Sequence, residues 1–99
     1  MADKNWLDFR KKVILITGGG GAIGYQLARA FAECGADLVL VDTDKVKLST
    51  AQTAVEALGR QTLVDVLDVR DGAAVEAFVA RAWNRFRAID VLINTADQC

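Results

Sequence analysis

Val13-Ile14-Leu15-Ile16-Thr17-Gly18-Gly19-Gly20-Gly21-Ala22-Ile23-Gly24 is the stretch that decides the fold. Its first four residues are apolar and mostly β-branched, the composition of a strand buried on both faces. The glycines end that strand at once. From Ile23 the apolar residues fall at Ile23, Leu27, Ala30, Phe31 and Cys34, a spacing of i, i+4, i+7, i+8 and i+11 that predicts one stripe of a helix. Gly35 follows, where a helix C-terminal glycine belongs. Strand, glycine turn and helix together open a βαβ unit.

The same alternation continues to the end of the chain. Leu38-Val39-Leu40-Val41 reads as a second buried strand, closed by Asp42. Lys45 to Leu58 carries Ala51, Ala54, Val55 and Leu58 at helical spacing, and Gly59 stops it. Leu63-Val64 starts a third strand that ends near Val66 or Leu67. Asp71 is placed to cap a third helix with the stripe Val75, Phe78, Val79, Ala82, Trp83 and Phe86. Val91-Leu92-Ile93 is a fourth strand. The order β-α-β-α-β-α-β predicts an α/β layer structure, an open parallel sheet with helices on its faces and right-handed crossovers. No linker or repeat interrupts it, so residues 1–99 read as a single domain.

Composition narrows the function. Hydrophobic residues make up 53% of the 99-residue chain, which excludes intrinsic disorder. Twelve Lys+Arg stand against 13 Asp+Glu, a net charge of −1, so there is no basic field to bind nucleic acid. The absence of His excludes His-based catalysis and most zinc sites, and no metal site is expected. The two thiols, Cys34 and Cys99, form no spacing motif and fit a reducing compartment. Met1 to Lys12 is mixed and charged, with no apolar core of a signal peptide, and no apolar run approaches the ~20 residues of a membrane span. The expected location is the cytoplasm, with no membrane partner.

The glycine loop carries the chemistry. Glycines allow positive φ in a tight turn and let a pyrophosphate approach the backbone with no Cβ in the way. A helix starting near Ala22 aims free N–H groups and its positive dipole end at those phosphates. No Lys-Ser or Lys-Thr follows the glycines, which excludes a Walker loop. A methyltransferase also uses a glycine loop after its first strand, but an acid rather than Thr17 is expected at the end of that strand. Asp42 ends the second strand, beside the loop in a parallel sheet. A carboxylate there accepts from both ribose hydroxyls of an adenosine and repels a 2′-phosphate, so NAD is expected over NADP. Thr43 and Asp44 follow without a basic residue, while Lys45 is close enough to soften the preference.

With these residues in place the chain resembles the N-terminal, cofactor-binding half of a short-chain dehydrogenase/reductase, from about Lys12 to Ala96. The family's TGxxxGxG loop is met by Thr17, Gly18 and Gly24, with Ala22 in place of the middle glycine. The extended branch's TGxxGxxG is met by Thr17, Gly18, Gly21 and Gly24. Ile89 to Asp97 resembles the fourth strand and NNAG end of the ordinary branch: Asn94 and Ala96 match, Thr95 and Asp97 do not. The resemblance implies a Rossmann-like sheet of strand order 3-2-1-4. It implies a dinucleotide held by Thr17, Gly18, Gly20, Gly21, Ala22, Ile23 and Gly24, with Asp42 on the ribose. Asp68 would then accept from the adenine amino group, the Val69 backbone would line the ring, and Asn94 and Ala96 would stand at the far end. The family's glycine at position 97 lies near the nicotinamide ribose, where Asp97 adds bulk and charge.

The resemblance also implies hydride transfer between a nicotinamide cofactor and an alcohol or carbonyl, with a serine, a tyrosine and a nearby lysine as acid–base groups. In the family those groups lie in the second half of a chain of ~250 residues. The one tyrosine here is Tyr25, and residue 29, one helical turn later, is Arg29. No residue is therefore assigned as catalytic, and the chain is expected to bind NAD or an adenine nucleotide without turnover. A non-catalytic minimal nucleotide-binding module, or a truncated or engineered scaffold, is the alternative. In the order 3-2-1-4 the fourth strand is an edge, whose Val91, Leu92 and Ile93 would pair with another copy, with Asp90 and Asp97 as partial protection. Trp6 and Phe9 belong to no motif and are placed over a sheet edge.

Overall fold

The four apolar runs become four parallel strands. A computed structural model describes residues 8–95. In chain order it contains β1 (Val13–Thr17), α1 (Ala22–Glu33), β2 (Asp37–Asp42), α2 (Lys45–Ala57), β3 (Thr62–Val66), α3 (Gly72–Phe86) and β4 (Val91–Asn94). The strand order is β3-β2-β1-β4, all parallel, as in a Rossmann-like sheet. Leu15 pairs with Val39 on one side and Leu92 on the other, which fixes the register of β2, β1 and β4.

The crossovers explain the two layers. From β1 to β3 the chain steps in one direction, so right-handed connections place α1 and α2 on one face. From β3 the chain turns back across the sheet to β4, which places α3 on the other face. The side chains follow. Ile14, Ile16, Leu38 and Leu40 pack against Ala28, Ala32, Leu48, Ala51 and Val55 on the first face. Val13, Leu15, Val39 and Val41 pack against Phe78 and Ala82 on the second. Both faces of β1 and β2 are buried, so these strands lack the apolar–polar alternation of a half-exposed sheet.

The helices sit differently from their sequence stripes. In α1 the fully buried line is Gly24, Ala28 and Ala32, one position round from the expected stripe. Small residues let the helix axis approach the sheet closely, while Leu27 and Phe31 flank the contact and Ile23 is 68% exposed. In α2 the buried line is Leu48, Ala51 and Val55, and Leu58, expected in the stripe, lies at the C-cap, 40% exposed. In α3 only Phe78 and Ala82 are fully buried. Arg81 reaches Asp65 of β3 at 3.1 Å, leaving Val79 and Trp83 exposed on the opposite flank.

Two smaller expectations hold, the Asp71 cap on α3 and Gly35 at the end of α1. Asp71 caps α3 by accepting from Ala74 N–H, and Asp44 caps α2 by accepting from Lys47 N–H. Gly35 has φ +103° just past the end of α1. Phe9, expected over a sheet edge, instead meets Phe31 edge-to-face at 5.1 Å and packs on the α1–α2 side of the core. Asp90 is bound inward rather than standing guard over the edge: its carboxylate accepts from Val13 N–H at 2.8 Å. Trp6, Ala96, Asp97 and Cys99 lie outside the described residues. Among the described residues no helix is long and apolar enough to cross a membrane.

Candidate functional site

At the C-terminal ends of β1, β2 and β3 a cleft of about 530 Å³ opens between the glycine loop and the segments that follow β2 and β3. That is within the roughly 300–1,000 Å³ of small-molecule sites, at the place where an open α/β sheet binds its ligands.

Its floor is the glycine loop, pinned at several points. Gly18 has φ +74°, a conformation glycine adopts without strain. The N–H groups of Gly18 and Gly19 both donate to the Val41 carbonyl, at 2.8 and 3.0 Å, which ties the loop to the end of β2. Gly24 is required by contact: a Cβ there would lie 2.1 Å from the Gly18 carbonyl oxygen. The bare Cα of Gly24 thus packs on the loop's own backbone. Gly21 is the N-cap of α1 and has no side chain to cap it, and no acid lies in the first turn. The first-turn amides are therefore aimed outward at the cleft with an uncompensated positive dipole, the arrangement that holds a phosphate.

Asp42 forms one wall. Its Oδ2 accepts from Gly20 N–H at 2.9 Å and its Oδ1 from Asp44 N–H at 3.0 Å. Each carboxylate oxygen offers two acceptor positions, so one on each remains for a ligand. The opposite wall is Leu67, Asp68 and Val69, after β3. Asp68 is spanned by the Arg70 guanidinium, with Nε at 3.1 Å from both carboxylate oxygens and Nη2 at 2.6 Å from Oδ2. Hydrogen bonds from the Arg70 side chain, then from the Arg70 backbone N–H, hold the Asp68 carboxyl at a pKa of about 2. The carboxylate is thus ionised across the ordinary pH range and stands ready to accept.

Eight of the expected residues line this cleft: Gly18, Gly21, Ala22, Ile23, Gly24, Asp42, Asp68 and Val69. Three others are absent from its lining and act on the framework. Thr17 Oγ1 donates to Asn94 Oδ1 at 2.7 Å, joining the ends of β1 and β4, and Gly20 faces Asp42 and α2. Ala96 is outside the described residues. Thr43, Asp44, Lys47 and Thr95 also line the cleft. Thr95, a departure from the NNAG pattern, donates its hydroxyl to the Thr17 and Gly18 carbonyls at 2.7 and 3.2 Å and so braces the loop from the β4 side. Lys47 was not singled out by the sequence because it sits on a helix face; the cap at Asp44 turns that face toward the cleft.

The cleft, the uncapped helix N-terminus and the paired acceptors of Asp42 fit an adenosine joined to a pyrophosphate. Known proteins share this framework. Levodione reductase from Leifsonia aquatica is 41% identical over 90 residues, covering 89% of this chain and 34% of the reductase. The short chain dehydrogenase/reductase dpmpG from Macrophomina phaseolina is 37% identical over 86 residues, 86% of this chain and 49% of that protein. The crystal structure of an NAD+-bound xylitol dehydrogenase superposes with a TM-score of 0.88 at 36% identity, covering 91% of this chain and 35% of that one. This chain therefore spans between a third and a half of the length of these relatives. The family model for short chain dehydrogenases matches residues 12–98, and the chain belongs to that family.

Proposed function

We propose that the chain is a single nucleotide-binding unit that holds NAD by its adenosine and pyrophosphate, in preference to NADP, and that it does not transfer hydride by itself. The observation that carries the reading is Asp42, whose carboxylate is fixed at the cleft by two backbone amides beside the uncapped start of α1. In that position it accepts from the vicinal ribose hydroxyls and repels a 2′-phosphate. Gly18 and Gly21 to Gly24 cradle the pyrophosphate. Asp68 and the Val69 backbone meet the adenine, and Asn94 stands toward the nicotinamide end. Xylitol dehydrogenase and a Mycobacterium paratuberculosis short chain dehydrogenase, the latter 25% identical, were both crystallised with NAD, which favours the same ligand here. Lys47, on the cleft wall, moderates the refusal of NADP without reversing it.

The absence of turnover follows from the acid–base groups. The one tyrosine is Tyr25, in α1, with the Arg29 guanidinium 6.0 Å from its ring centroid. It is placed by the cofactor loop, and no lysine stands one turn later. The longer relatives support an oxidoreductase as the parent activity, with hydride exchanged between NAD and an alcohol or carbonyl. Cytoplasmic residence is part of the same proposal. So is self-association: β4 pairs on one side only among the described strands, Leu92 is 66% exposed, and Trp83 on the same sheet face is 50% exposed. Light scattering after size exclusion is expected to show dimers or larger species that dissociate in Leu92→Lys; a monomer at high concentration rejects the association.

Calorimetric titration of the purified, folded chain with NAD, NADP and ADP tests the main proposal. Saturable binding of NAD and ADP, with NADP weaker, is expected, together with no reduction of NAD in the presence of alcohols. Failure to bind any nucleotide rejects the site; NADH formation rejects the silence.

A further inference from the structure

The family's loop pattern leaves position 20 open, yet this chain admits only glycine there. A Cβ on Gly20 would lie 2.7 Å from Leu48 N, 2.8 Å from the Lys47 carbonyl carbon and 2.9 Å from Lys47 Cβ. Two of those atoms are backbone in the first turns of α2, and that turn has nowhere to go. Leu48 is 2% exposed and belongs to the core, and the turn is capped by Asp44. A side chain at position 20 must therefore push the loop away from α2.

The same residue holds the acid. Gly20 N–H donates to Asp42 Oδ2 at 2.9 Å, while Asp44 N–H takes Oδ1 from the other side at 3.0 Å. One amide comes from the phosphate loop and the other from the turn into α2. We infer that Gly20 is a positioning residue: its bare Cα sets the spacing between loop and α2, and its amide locks the Asp42 carboxylate so that the free acceptor positions face the ribose hydroxyls. Gly20 itself touches no ligand; it acts through Asp42. The inference rests on the adenosine reading above and deepens it, because recognition of the ribose becomes a property of the phosphate loop as well as of the acid.

The test compares ADP with 2′-deoxy-ADP, which lacks one of the two ribose hydroxyls from which Asp42 is held to accept. In Gly20→Ala of the full chain, ADP binding is expected to weaken by about tenfold, the scale of one hydrogen bond to a charged group. Binding of 2′-deoxy-ADP should change far less, so that the preference for the ribose collapses. If both ligands lose affinity by the same factor, or neither does, Gly20 serves the phosphate loop alone and the inference fails. A second measurement does not depend on that variant folding or on any ligand. In Asp42→Ala, hydrogen exchange at the Gly20 amide should speed markedly while the Gly19 amide, bonded to Val41 O, stays protected. Unchanged exchange at Gly20 overturns the inference. An unmodified chain that binds neither nucleotide overturns the adenosine reading instead, and the exchange experiment still decides whether Gly20 holds the acid.

Discussion

β2 and β4 have nearly the same apolar composition and opposite environments. Leu38 to Val41 are each 2% exposed or less, sandwiched between strands on both edges and helices on both faces. Leu92, in register with Leu15 and Val39 across the sheet, is 66% exposed. The difference lies in the neighbours. One face of the sheet carries two helices and a continuous core; the other carries α3 alone, whose Arg81 pairs with Asp65 of β3. Apolar sequence specifies a strand, whereas burial is conferred by what packs on it. The nucleotide cleft sits on the well-packed side of this divide, where β1, β2 and the loop brace one another.

The contrast is tested most severely by truncating one leucine on each strand. Leu40→Ala should destabilise the fold by about 2–5 kcal/mol, as buried leucine truncations do. Leu92→Ala should stay within about 0.5 kcal/mol in the monomer, as surface changes do. Urea denaturation of both variants checks this, and equal losses would break the comparison. Next in size is Gly24→Ala. The added Cβ meets the Gly18 carbonyl, so a cost of roughly 1–3 kcal/mol is expected from overpacking, along with loss of NAD binding. An alanine tolerated there would show that the loop is less rigid than its contacts imply.

The caps sharpen the comparison further. Asp44→Ala and Asp71→Ala each remove one side-chain acceptor from a helix N-terminus, a loss of about 1 kcal/mol by thermal melting. Only the first should also weaken nucleotide binding: the backbone N–H of residue 44 survives the substitution, but the turn that presents it to Asp42 Oδ1 loses its cap.

The smallest effect concerns Asp68. Its carboxyl titrates at about 2 against an ordinary value of 3.8, because the ionised form is bound by Arg70. A depressed value in the fold means that the interaction is intact above pH ~4 and is lost as pH falls through about 2. Carbon-detected titration should place Asp68 near 2 and, in Arg70→Ala, closer to 3.8. No measurable stability change should accompany it, since the pair is open to solvent.

Much of this was legible in the sequence. The four strands and three helices follow from apolar runs punctuated by glycine, the order 3-2-1-4 was implied by the family resemblance, and Asp71 announced its cap. The misreadings have a common cause. Periodicity marks large apolar residues, but a helix lying close on a sheet makes contact through small ones, so Gly24, Ala28 and Ala32 displaced Ile23 and Ala30 in α1. Likewise Val79 and Trp83 read as core because they are apolar, though their flank of α3 has no described neighbour to bury them. In the cleft, the motif named glycines whose backbone lines it. It named Gly20 for the dinucleotide but left unread how residues act on one another: Arg70 on Asp68, Thr95 on Gly18 and Gly20 on Asp42. The last two join segments distant in sequence, which leave no local pattern to read.

The most direct test of the account is to follow the backbone amide resonances of the labelled chain during titration with NAD. The account predicts saturable shifts at Gly18, Gly21 to Gly24, Asp42 and Val69, with Val79, Trp83 and Leu92 unmoved. Shifts centred on α3 and β4, or no shifts in a chain shown to be folded, would contradict it.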